Sequence, residues 1–176
     1  FAVPYVWIAN EVQRAQGLSL IVSDVQRIPA SSVDPRAKNY HWNDLTMGLL
    51  GALDAGGDTV VLSDGAGNVL EGPGFNIFCV NAQGTLVTPA EGVLEGITRR
   101  TVIEMAAALG LPLQARALPA AELRSACEVF LSTSGGGVLP VTRVDGHSVG
   151  DGAVGPVTRQ LVQTYWDWHR DPRYSR

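Results

Sequence analysis

Lysine is all but missing from this chain of 176 residues: Lys38 is the only one among 13 lysines and arginines. Arginine replaces lysine well as a surface charge, but it stays protonated and cannot become an amine nucleophile. Lysine can, once burial or a neighbouring cation lowers its pKa, and it then forms Schiff bases with carbonyl compounds. The single lysine is therefore either an accident of an arginine-rich composition or a position that requires an amine. Cysteine is scarce as well. Cys79 and Cys127 each sit in an apolar run, which excludes a disulfide framework and predicts two small buried hydrophobes. The three histidines, His41, His147 and His169, are scattered without metal-ligand spacing, so no metal is expected. No apolar run approaches the roughly 18 residues that cross a bilayer. A net charge of -4 and a pI near 5.3 argue against nucleic acid or an anionic membrane as partner. The default compartment is the cytosol.

What is present is an ordinary globular balance, 45% hydrophobic and 17% charged, enough for one domain with a sizeable core. The chain opens at Phe1 and runs directly into Val3-Pro4-Tyr5-Val6-Trp7-Ile8, which reads as a buried strand. A mature protein rarely begins inside a core element, so a longer polypeptide is expected, of which residues 1–176 form the later part. Further strands are predicted at Leu18–Val25, Thr59–Ser63, Val69–Gly72, Phe75–Val80, Thr85–Thr88, Glu128–Leu131 and Val138–Val141, punctuated by turn signals such as Asp64-Gly65-Ala66-Gly67-Asn68. Helical periodicity predicts helices over Asn43–Ala55, Thr98–Leu109, Pro119–Arg124 and Val157–His169. Strands run together and helices are interspersed without βαβ alternation. The expected class is α+β with mixed, largely antiparallel sheets.

Four places could carry chemistry. Lys38 follows a loop and precedes a helix. Glu71 interrupts apolar strands, where a carboxylate is costly unless a cation meets it. Leu94-Glu95-Gly96-Ile97-Thr98-Arg99-Arg100 lies at the start of the clearest helix, and helix starts bind anions through free N–H groups and the positive end of the dipole, with Thr98 adding a hydroxyl. Thr133 and Ser134 lie in the serine- and glycine-rich turn Ser132–Gly137, whose hydroxyls and amides could cradle a phosphate. Each has a plain structural explanation alone. Together, an amine, a lone carboxylate and two oxyanion cradles are what pyridoxal 5'-phosphate asks of its host.

The ordered motifs Lys38-Asn39, Glu71-Gly72-Pro73-Gly74-Phe75-Asn76-Ile77-Phe78, Gly92-Val93-Leu94-Glu95-Gly96-Ile97-Thr98-Arg99 and Phe130-Leu131-Ser132-Thr133-Ser134-Gly135-Gly136-Gly137 resemble the class IV pyridoxal-phosphate aminotransferases. Within that family, Lys38-Asn39-Tyr40-His41-Trp42 and the closing Tyr165-Trp166-Asp167-Trp168-His169 are most similar to the (R)-selective amine transaminases. The resemblance implies the family's large cofactor-binding domain, without the smaller N-terminal domain that carries a phosphate-binding arginine. It implies Lys38 as the Schiff-base lysine and proton carrier, Glu71 at the pyridine nitrogen, Ile97 and Thr98 on the phosphate, and Thr133 and Ser134 closing the cup and bordering the substrate. Trp42 would lie near the ring or pocket. Branched-chain members place a tyrosine shortly after the lysine to meet the ring hydroxyl; Asn43 stands there in this sequence, so no residue is assigned to that hydroxyl. The implied activity is transamination between a small (R)-amine or amino acid and a ketone or 2-oxo acid. Alternatives are a branched-chain or D-amino-acid aminotransferase, an aminodeoxychorismate lyase, or a fragment that holds no cofactor. A homodimer is also implied, consistent with an aromatic-rich end that offers more apolar surface than a lone domain covers.

Overall fold

The computed structural model describes residues 8–174. The first element, α1 (Glu11–Gln16), is short and was not foreseen. Asn10 nucleates it through a capping box, its side chain accepting from the Gln13 amide while the Gln13 side chain accepts from the Asn10 amide, both at 2.9 Å. Next come β1 (Leu18–Gln26), α2 (Asn43–Asp54), β2 (Thr59–Ser63), β3 (Asn68–Val69), β4 (Glu71–Gly72), β5 (Phe75–Val80) and β6 (Leu86–Thr88). The second half holds α3 (Ile97–Ala108), β7 (Leu113–Ala115), β8 (Leu118–Pro119), α4 (Ala120–Arg124), β9 (Glu128–Thr133), β10 (Gly137–Val144), β11 (His147–Ser148) and α5 (Pro156–Arg170).

The strands join in one sheet ordered β7-β6-β5-β9-β10-β1-β2-β3-β8, with β4 on β5 and β11 on β10. Three pairings are parallel, β1 with β10, β1 with β2 and β6 with β7; the other neighbours run antiparallel. The α+β class with a mixed, mostly antiparallel sheet is thus the observed one. Val61, Val69 and Leu118 from one end of the sheet share a core with Ile77, Cys79, Val129 and Leu131 from its middle, so the sheet curls on itself. On the other face, α3 and α5 cover Phe78, Phe130 and Val138, and α2 covers Val60 and Leu62.

Several expectations change in detail. The strand expected over Val3–Ile8 falls, apart from Ile8, outside the described residues. The single strand expected over Val69–Gly72 is broken at Leu70, which sends β3 to β2 and β8 and sends β4 to β5. Cys79 is buried, and desolvation pushes its thiol up to about 12, but Cys127 is exposed. Its apolar neighbours belong to β9, whereas Cys127 lies just before the strand, tied by its amide to the Val80 carbonyl at 2.8 Å. The aromatic end is not an open surface either. Tyr165 is buried, and Trp166 and Trp168 pack against the core beneath α3 and α5.

Candidate active site

The loop from β1 to α2, the β4–β5 turn, the start of α3 and the β9–β10 turn converge on one cleft of about 600 Å³. All the residues singled out from the sequence line it: Lys38, Trp42, Glu71, Ile97, Thr98, Thr133 and Ser134. Lys38 is exposed at its mouth. Trp42 immediately precedes α2, and its Cη2 lies 3.7 Å from the point where a side chain on Gly74 would begin.

Glu71 is the buried charge of the site, 6% exposed. One carboxylate oxygen accepts from Arg27 Nη2 at 3.0 Å and the other from the Leu94 amide at 2.9 Å. Arg27 also pairs with Asp44, whose carboxylate accepts from the Ile28 amide at 3.0 Å and the Leu45 amide at 2.9 Å. One guanidinium therefore serves two carboxylates, leaving the triad with a net negative charge. Burial pushes the Glu71 carboxyl above its ordinary value, and the Leu94 amide and Arg27 offset only part of that. At Asp44 burial pushes the same way, but the Ile28 and Leu45 amides and Arg27 outweigh it and hold the carboxyl below its ordinary value.

Asn76 sits opposite Glu71 across β4 and β5, and its Nδ2 donates to the Leu94 carbonyl at 2.8 Å. Leu94 is thus held at both its amide and its carbonyl, which fixes the turn that leads into α3. A side chain at Gly96 would crowd this link, because a Cβ would lie 2.4 Å from Asn76 Oδ1. It is also the N-cap of α3 and supplies no side-chain acceptor, so the first amides of a 12-residue helix stay open to the cleft. Thr98 is buried just inside that start and Ile97 is exposed beside it.

Thr133 is already engaged within the protein. Its hydroxyl donates to the Gly74 carbonyl at 2.7 Å and accepts from the Gly135 amide at 3.1 Å. A threonine hydroxyl has one donor, and here it ties the β4–β5 turn to the β9–β10 turn. Ser134, the next residue, is exposed on that second turn. Sequence reading missed Arg27, Asp44 and Asn76. The signal available was Glu71 itself, since a carboxylate among core strands demands a cation somewhere in the chain.

Comparison with known proteins identifies the family. The family model described as amino-transferase class IV matches residues 1–144. A probable branched-chain-amino-acid aminotransferase of Thermotoga maritima is 36% identical over 151 residues, covering 85% of this chain and 54% of the relative. The branched-chain-amino-acid aminotransferase of Pseudomonas aeruginosa is 34% identical over 154 residues, covering 86% of this chain and 50% of the relative. Among solved structures, the branched-chain aminotransferase of Thermoproteus uzoniensis with norvaline superimposes with a TM-score of 0.89 at 30% identity, covering 99% of this chain and 58% of that one. The holo form of the enzyme from Thermobaculum terrenum gives 0.86 at 33% identity, covering 94% and 56%. The chain thus spans about half the length of the curated relatives it matches, and these relatives carry branched-chain rather than amine-transaminase names. A lone lysine, a buried carboxylate and an open helix start in one cleft, together with a family match over most of its length, make this chain a member of the class IV aminotransferases.

Proposed function

We propose that this chain is the larger, cofactor-holding domain of a transaminase, that it binds pyridoxal 5'-phosphate in the cleft, and that it exchanges an amino group between a branched-chain amino acid and a 2-oxo acid. The observation that carries the reading is the convergence of Lys38, Glu71 and the uncapped start of α3 on one cleft. The donor set fits the group: an amine for its aldehyde, a carboxylate for its pyridine nitrogen and open amides for its phosphate. When bound, the cofactor supplies an electrophilic carbon and a ring that takes up the electron pair left when a substrate proton departs.

The chain's own residues do the rest. Lys38 would present the amine to the cofactor's aldehyde and would take and return the substrate proton. Glu71 keeps a proton at the pyridine nitrogen. Arg27 and Leu94 occupy one lone pair on each of its oxygens, and a carboxylate has about four such sites. Ile97 and Thr98 hold phosphate through backbone amides and the Thr98 hydroxyl, Thr133 and Ser134 shape the opposite wall, and Trp42 borders the pocket. A homodimer accords with the exposed side of α2, where Met47, Leu50 and Leu53 stay more than half or half uncovered at 57%, 59% and 50%. Among the described residues no helix is long and apolar enough to cross a membrane.

A second reading, transfer from a small (R)-amine, is favoured by Lys38-Asn39-Tyr40-His41-Trp42 and by Asn43 at the place where branched-chain members carry tyrosine. Donor competition separates the two. A branched-chain amino acid should outpace a chiral primary amine with the same 2-oxo acid acceptor, and the reverse order would favour the second reading. Borohydride reduction of the loaded protein should leave the pyridoxyl label on Lys38. A label elsewhere, or none, would overturn the reading of the cleft.

A further inference from the structure

One buried hydroxyl in the cleft wall stands apart from the others. Ser132 lies in β9, is 2% exposed and lines the cleft, and its Oγ has no hydrogen-bond partner among the described residues. Burying a donor without a partner leaves its desolvation uncompensated. Register fixes where this side chain stands. Ser132 is opposite Asn76, and Asn76 is opposite Glu71. Directly opposed residues share a sheet face, so Glu71, Asn76 and Ser132 form one buried polar row. Phe78 and Phe130, two positions along the same strands, belong to the core beneath α3 and α5, which sets the row on the α3 side. Asn76 then links it directly to the turn before α3 through the Leu94 carbonyl.

That is where an anion would sit. The start of α3 has no side-chain cap, and of the hydroxyls the sequence put forward, on Thr98, Thr133 and Ser134, that of Thr133 has spent its only donor on Gly74. The next residue back is the hydroxyl left without a partner, and rotation about Cβ–Oγ can aim its proton without moving the strand. We infer that Ser132 is a binding residue for the anion seated at the start of α3, its hydroxyl donating to the phosphate of pyridoxal 5'-phosphate. This rests on the cofactor reading above and adds a donor to it.

The test titrates the unsubstituted protein, Ser132→Ala and Ser132→Cys with pyridoxal 5'-phosphate and, separately, with pyridoxal, which lacks the phosphate; apo melting temperatures are taken alongside. Both variants should bind pyridoxal 5'-phosphate tenfold or more weakly, as expected for loss of a hydrogen bond to a charged group. Pyridoxal affinity should stay within about twofold, and the apo proteins should melt no lower, since an unsatisfied donor has been removed. Unaltered phosphate-ester affinity would overturn the inference. So would an equal loss for both ligands, a loss with alanine but not with the isosteric cysteine, or an apo melting temperature several degrees lower. Failure of the unsubstituted protein to bind either ligand would instead sink the cofactor reading itself, and this inference with it.

Discussion

Glu71 and Asn76 face one another across β4 and β5 and between them hold both polar ends of a third residue, one accepting from the Leu94 amide and the other donating to the Leu94 carbonyl. The carboxylate proposed for the pyridine nitrogen and the turn that presents the amides of α3 are thereby one unit. Anything that shifts one should shift the other.

Gly96 tests that unit. Gly96→Ala forces a methyl group against Asn76 Oδ1 and should weaken both the apo fold and cofactor affinity, by about 1–2 kcal/mol in stability as an overpacking change. Asn76→Ala removes the obstacle, so the second substitution should cost measurably less when made in that background. A double-mutant cycle on urea midpoints should show a coupling of about 0.5–3 kcal/mol; strict additivity would mean the clash is relieved in some other way.

Lys38→Ala should remove both transamination and the visible absorption of the bound cofactor. Lys38→Arg should fail nearly as badly, because arginine keeps its proton. More than about one per cent of the original rate in either variant, equivalent to a loss of less than roughly 2.7 kcal/mol, would count against an essential amine.

Arg27→Ala leaves two carboxylates buried without their shared cation. Stability should fall by about 3–5 kcal/mol, the usual penalty for removing one partner of a buried ion pair. Arg27→Lys should recover only part of this, since a single ammonium cannot reproduce the fork that reaches Asp44 and Glu71 together. Equilibrium unfolding in urea reads both.

Glu71 carries a pH signature. Its folded carboxyl binds a proton more readily than the unfolded one, because burial raises its pKa. Apo stability should therefore fall as pH rises from the ordinary glutamate value, 4.5, toward the raised folded value, and level off above it. Asp44 works in the opposite sense below its ordinary value of 3.8, so its window lies apart. Glu71→Gln should flatten the slope above 4.5 in melting curves collected across mildly acidic pH, and a slope that survives the substitution would assign it to another group.

Thr98 and Thr133 should separate by what they harm. Thr98→Ala should weaken cofactor affinity by about 1.5–3 kcal/mol, as for a hydrogen bond to a charged group, and leave the apo melt nearly unchanged. Thr133→Ala unties Gly74 from Gly135 and should lower apo stability by about 1–2 kcal/mol instead. Titration and melting together distinguish the two patterns.

The sequence made the long elements legible, caught short ones such as β6 and α4, and hid several others. The nine residues of β1 and the twelve of α3 carry enough periodic apolar positions to be read within a residue or so at each end. Strands such as β7, β8 and β11, with three residues or fewer, have no period to show and exist only because a neighbouring strand pairs with them. In the site, chemically unusual residues were visible: the lone lysine, the carboxylate among strands, the hydroxyl inside a helix start. Arg27 was not, because an arginine before Ile28-Pro29 looks like any strand end until Glu71 and Asp44 are seen on either side of it. Thr133 stood out by composition, but only coordinates show that its donor is already used.

The pairing of β1 with β10 has a temporal consequence. Val22 of β1 takes its amide partner, Asp145, from 123 positions further along the chain. During synthesis β1 can find β2 early, yet among the described residues its other edge pairs only with β10, which is made much later. Closing a loop of that length comes late and slowly compared with local pairing. Until then the nascent chain exposes an open edge of apolar strand, so this protein should lean on chaperones or on slow translation more than its size suggests.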